Sequence, residues 1–247
     1  MDTAPAAGTN GLKVMKHIFA SNSQSEIGGG TDLSSWHLQG ATTANSITHA
    51  YTIGGGWTGA PGSGHTNFGH IQKFSFATEA VMTYVGDAYN DNGAQDPTMI
   101  YGSGHSSMTH GYRAGGHNAL QTDKIEKWSF ASDENSTLVG SLIRGIDTGC
   151  SGGSSGYYGY IMGGHGPGQA EFDKFSFVSD ADSTTVGTLF HGEAYGSGTS
   201  STTHCYMAGG GHPQIDTIQK GSFTTDGNMT DVGNMISARA YVTGYHN

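Results

Sequence analysis

The chain has 247 residues, enough for one or two domains, and 42 of them are glycine, about 17% where ~7% is usual. Only 12% are Asp, Glu, Lys or Arg, while 12 Tyr, 10 Phe and 3 Trp provide volume for a core, so a charged disordered tail and a coiled coil are both excluded. A net charge of -10 opposes binding to a phosphate backbone, which argues against nucleic acid, and no apolar run approaches the ~18 residues of a membrane helix, so no membrane insertion is expected.

In chain order, the opening Met1-Asp2-Thr3-Ala4-Pro5 lacks the positive and apolar regions of a secretory signal, and synthesis and folding in a cytoplasm are expected. The strand-like Lys16-His17-Ile18-Phe19 then leads to Ile27-Gly28. A second unit opens with Tyr51 before Gly54-Gly55 and continues through Lys73-Phe74-Ser75-Phe76 to Val85-Gly86. The third runs from Tyr101-Gly102-Ser103-Gly104-His105 through Tyr112, Gly115-Gly116 and Lys127-Trp128-Ser129-Phe130 to Val139-Gly140. In the fourth, Tyr160 and Gly163-Gly164 precede Lys174-Phe175-Ser176-Phe177 and Val186-Gly187. The fifth begins at Tyr195-Gly196-Ser197-Gly198 and carries Tyr206, Gly209-Gly210, Lys220-Gly221-Ser222-Phe223 and Val232-Gly233. The last phenylalanines of these segments are 57, 54, 47 and 46 residues apart, which leaves 43 for a fifth interval.

Short aromatic and β-branched segments bounded by Gly, Ser, Asn and Asp, without a 3.6-residue period, predict strands. Four strands per repeat of this length predict an all-β fold, a five-bladed β-propeller with four antiparallel strands per blade. Ala240-Tyr241-Val242-Thr243-Gly244 repeats Ala194-Tyr195-Gly196-Ser197-Gly198, so N- and C-terminal strands are expected to share one blade and close the ring. The predicted single domain, 1–247, divides into blade 1 (1–40 plus 240–247), blade 2 (41–96), blade 3 (97–147), blade 4 (148–193) and blade 5 (194–239).

A hydrophobic residue followed by Tyr-x-x-Gly-Gly, a variable loop and an aromatic strand resembles kelch-type propeller repeats, with Val-Gly standing where kelch repeats carry a fourth-strand Trp. The wording Gly-Tyr-x-x-Gly-Gly…Ile-x-Lys-Phe-Ser-Phe-x-Ser-Asp…Val-Gly-x-Leu is similar to repeats in virion and tail-associated structural proteins of marine bacteriophages. The resemblance implies a kelch-like propeller acting as a non-enzymatic structural or adhesion module of a virion: a tail, fibre-associated or surface-decorating protein. Such a protein is made in the host cytoplasm and is extracellular once assembled, with other virion or assembly proteins as partners. A lectin-like propeller that binds cell-surface glycans is the alternative, and a propeller enzyme a distant one.

Repeated polar residues read mainly as scaffold. The glycine doublets precede no helix and no Gly-Lys-Ser/Thr, so they read as turns. Lys16, Lys73, Lys127, Lys174 and Lys220 hold one register position, as a repeated ion pair or a stem lying along apolar surface does. Thr48-His49, Thr109-His110 and Thr203-His204 read as hairpin histidines donating to a carbonyl rather than as a metal ring. Asp133-Glu134-Asn135, Asp180-Ala181-Asp182 and Asp226-Gly227-Asn228 have spacing that suits Ca²⁺ but read as Asx turns. Cys150 and Cys205 are expected as free core residues. No catalytic residue, metal or cofactor is expected. The contact face is placed at the long loops of blade 2, where the loop 56–69 holds Trp57, His65, Asn67 and Phe68 and the lead-in loop 88–98 holds Asn90 and Asp91.

Overall fold

A computed structural model describes residues 14–18, 20–27, 41–55, 69–80, 82–89, 100–118, 120–146, 148–166, 169–192, 194–211 and 213–241. Among these residues there is no helix, and the strands form five antiparallel sheets. The first pairs β1 (Val14–Ile18) with β2 (Ser23–Ile27). The second orders β3 (Thr42–Asn45), β4 (His49–Ile53), β5 (His70–Ser75) and β6 (Thr83–Asp87). In the third, β7 (Ser103–Ser106) and β8 (His110–Ala114) precede β9 (His117–Asn118), a two-residue strand on β10 (Leu120–Ser129), with β11 (Thr137–Ile146) outermost. The fourth contains β12 (Ser151–Ser154), β13 (Tyr158–Met162), β14 (Glu171–Ser176) and β15 (Thr184–Thr188). The fifth contains β16 (Ser197–Ser200), β17 (His204–Gly210), β18 (Ile215–Ser222) and β19 (Thr230–Asn234). These are propeller blades, as the repeat predicts.

Sequence period becomes packing at the seams between blades. The tyrosine before three of the four doublets stacks on the phenylalanine just after the next blade's third strand: Tyr51 on Phe130 at 4.8 Å, Tyr112 on Phe177 at 4.5 Å and Tyr160 on Phe223 at 4.7 Å. Each apolar cluster therefore spans two blades, as where Tyr51, Ile53, Ile71 and Val85 meet Trp128. Residue size is complementary across paired strands. Trp128 lies opposite Gly111 and Phe175 opposite Gly159, where a Cβ would overlap the ring. In blade 5 the sizes reverse, and Cys205 faces Gly221.

The first strands β3, β7, β12 and β16 pack side by side in that order. Backbones approach so closely that a Cβ on Gly104 would collide with the Thr43 carbonyl, and one on Gly198 with that of Gly152. A ladder fastens them: Asn45 N donates to Ser106 Oγ at 2.9 Å, Ser106 N to Ser154 Oγ at 3.1 Å and Ser154 N to Ser200 Oγ at 2.9 Å. The terminal pairing expected to close the ring, between the N-terminal segment and the segment from Ala240 onward, falls mostly on 1–13 and 242–247, which lie outside the described residues. Tyr241 stands at its threshold. Its φ of 56° matches the 62° of Tyr101 and Tyr195, and its N donates to Tyr195 O at 2.9 Å, as Tyr195 N does to Gly149 O at 2.7 Å.

Candidate functional site

The polar groups repeated in every blade are used to build and fasten it. Ser46, Ser107 and Ser201 close the first hairpins by accepting from the backbone N of His49, His110 and His204. Each of these histidines has Nδ1 2.8 Å from the hydroxyl of the preceding threonine. The expected carbonyl partner is thus a threonine oxygen, because a turn this tight brings the adjacent side chain within reach first. Burial, followed by the Lys127 charge, lowers the pKa of His110. The doublets have φ of 69° and 109° at Gly54 and Gly55, and 63° and 116° at Gly163 and Gly164, the left-handed turns expected.

Four of the five repeated lysines make the anticipated ion pair, and each reaches forward to the next blade. Lys16 meets Glu79, Lys73 meets Asp133 at 2.7 Å, Lys127 meets Asp180, and Lys174 meets Asp226 at 2.6 Å. The acidic turns use their second oxygen-bearing residue across the same seams. Asn135 Oδ1 accepts from Asp87 N at 2.9 Å, Asp182 Oδ1 from Ser141 N at 2.8 Å and Asn228 Oδ1 from Thr188 N at 3.1 Å. These oxygens clasp the preceding blade instead of closing their own hairpins. Buried ion pairs add to two seams. Glu126 pairs with Arg113 and accepts from Tyr89 N at 2.7 Å, and Arg144 contacts Glu171 and Asp173. Burial raises the Asp173 carboxyl against the opposing pull of Arg144.

One polar cluster breaks the repeat. At the outer edge of blade 2, Asp87 Oδ1 lies 2.7 Å from His70 Nδ1, and Asp87 Oδ2 accepts from Tyr84 Oη at 2.8 Å. The two rings meet edge to face at 5.1 Å, and Tyr84 is 55% exposed. Corresponding positions hold Lys124, Leu138 and Ser141 in blade 3, and Glu171, Thr185 and Thr188 in blade 4. His70 immediately follows the loop 56–69 and Asp87 immediately precedes the loop 88–98, so the cluster stands at the root of both long loops. Trp57, His65, Asn67, Phe68, Asn90 and Asp91 all lie outside the described residues. Sequence reading missed the His70–Tyr84–Asp87 cluster, because these positions differ in every aligned blade, blade 5 holding Thr217, Asp231 and Asn234. On the opposite face, Ile47 and Met108 at the first hairpin tips are 96% and 87% exposed.

Among the described residues no three His, Cys, Asp or Glu side chains gather as a metal site. Both cysteines are free, and burial pushes the Cys150 thiol up to about 11 and that of Cys205 to about 12. No family model matches the chain, and no curated protein matches it. Solved structures do. One, of YjhT, shares 13% identity at a TM-score of 0.69, with the match covering 90% of this chain and 77% of that one. The chain has the β-propeller fold. At that identity the likeness extends to fold alone.

Proposed function

We propose that this chain is a non-enzymatic structural or adhesion module, a kelch-type propeller of a phage virion, which meets its partner through the rim of blade 2. The observation that carries the contact reading is the division among polar groups. The lysines, acidic turns and inner-strand serines recur at the seams, and the Arg113–Glu126 and Arg144–Asp173 pairs, which do not recur, are still buried inside the ring. A device that serves a partner need not recur, and His70, Tyr84 and Asp87 do not. Placement in a virion rests on the likeness of the repeat wording to phage tail and fibre-associated proteins, with other virion proteins or a host surface as partner.

A second reading, a lectin-like propeller, draws on the same cluster. Tyr84 offers an exposed ring for the apolar face of a sugar, and Asp87 is a carboxylate beside it. Two measurements separate the readings: the composition of purified particles, and a glycan array probed with the isolated chain. Stoichiometric recovery in particles, weakened by Tyr84→Ala or Asp87→Asn, supports the virion role. Glycan binding weakened by the same changes supports the lectin. A chain absent from particles and without glycan binding overturns both, and substrate turnover by the purified chain overturns the non-enzymatic reading.

A further inference from the structure

On the face that carries the first hairpin tips, blades 2 to 4 expose an apolar patch that blade 5 does not continue. Each of these hairpins turns on a serine. In blade 2, Ser46 Oγ accepts from Thr48 N at 3.2 Å and His49 N at 3.0 Å, and Ser107, Ser155 and Ser201 accept in the same way. The residue after the serine has no part in this closure. It is Gly156 in blade 4 and Thr202 in blade 5, so the turn does not require an apolar side chain there. Blades 2 and 3 nevertheless place Ile47 and Met108 at that point, both almost fully exposed, and blade 4 has Tyr157 one residue further on, 68% exposed.

Backbone bonds from Phe76 N to Thr48 O at 3.0 Å and from Phe177 N to Tyr157 O at 2.9 Å hold these tips against the turns that follow the third strands. Those turns add the exposed Phe76 and Val178, whereas blade 5 has Thr224 where blade 4 has Val178. Because β3, β7 and β12 pack side by side, the tips of three neighbouring blades adjoin in one patch.

The charge around the patch decides what it fits. The turns after the third strands, with the lysines that lead into them, hold five of the ten basic residues and six of the twenty acidic ones. Four of those lysines are paired there. This face is therefore close to neutral, and most of the net charge of -10 is carried by the rest of the chain. Two copies of so acidic a chain repel one another except through such a face, and a neutral apolar patch is complementary to itself.

We propose that this face is the interface of a homodimer, in which the patch of blades 2 to 4 packs against the same patch of a second copy about a two-fold axis. This interface is separate from the contact at the rim of blade 2, and either can fail without the other.

Sedimentation velocity on the full purified chain tests it. The wild type should form a dimer with a Kd in the micromolar range. Ile47→Thr combined with Met108→Thr gives these tips the side chain with which blade 5 already folds, and should weaken the dimer about tenfold or more. Ile236→Thr removes an equally exposed side chain from the lead-in loop on the other face, and should leave the dimer unchanged. A wild type that stays monomeric throughout the micromolar range overturns the proposal. So does a dimer that the paired threonines leave intact, or one that Ile236→Thr weakens as much. A monomer whose incorporation into particles is lost with the paired threonines would assign the patch to another virion protein, and would overturn it too.

Discussion

His105 shows how one side chain ties its environment to pH. It lies in β7 and is buried, with Nδ1 3.0 Å from the Gly153 carbonyl across the seam and Nε2 2.9 Å from Ser103 Oγ. A neutral ring that donates from Nδ1 and accepts at Nε2 satisfies both. Burial lowers its pKa from 6.5 to about 4, so between those values the unfolded chain binds a proton that the fold refuses. Stability is then full above pH 6.5 and falls as the pH drops toward 4, by roughly 3 kcal/mol in all. Urea midpoints at pH 7 and 5 should differ more in the wild type than in His105→Gln, and equal differences would remove His105 as the cause. Cys205 answers a different local need. It fills space opposite Gly221, where blades 3 and 4 place a large ring over a glycine. Its thiol and that of Cys150 should resist a disulfide reagent at pH 8 in the native protein and react fully in denaturant. Prompt native labelling of Cys205 would contradict its burial.

At the scale of strands, the innermost elements are held by backbone proximity more than by side-chain bulk. Adding one methyl at Gly104 forces β7 away from the Thr43 carbonyl, which disturbs the serine ladder on both sides. Gly104→Ala should cost ~2 kcal/mol or more in chemical denaturation. Gly156→Ala, where a Cβ meets nothing within 4 Å, should cost under ~1 kcal/mol and serves as the control. The strands themselves were legible in the sequence because aromatic and glycine positions recur at fixed offsets. Clasp direction was not, because Asn135, Asp182 and Asn228 look like residues of their own hairpins until neighbouring blades are placed beside them. The lysines were half legible. A shared register left an ion pair and a stem along apolar surface both open, because the acid that decides between them sits 52 to 63 residues further along the chain, as with Lys174–Asp226 and Lys16–Glu79.

For the whole molecule, near-symmetry makes any departure from the repeat the place to seek a partner. The sequence directs attention to blade 2 through the length of its loops, and the structure adds His70, Tyr84 and Asp87 on the strands that adjoin them in the chain. That cluster escaped the sequence reading because its members lie 3 and 17 residues apart on two strands, with no motif spacing of their own. The contact assignment predicts a difference between blades. Tyr84 in blade 2 and Phe190 at the lead-in loop of blade 4 are similarly exposed, at 55% and 53%, so truncating either removes comparable apolar surface. Tyr84→Ala and Trp57→Ala should each weaken particle incorporation or glycan binding about tenfold or more, the loss expected of a contact worth ~1.4 kcal/mol. Neither should lower the melting temperature by more than about 2 °C. Phe190→Ala should leave binding unchanged. Equal losses from Phe190→Ala and Tyr84→Ala would mean that the partner reads the ring as a whole, and a loss of binding that merely follows the folded fraction would place Trp57 in the support of blade 2 rather than on its contact face.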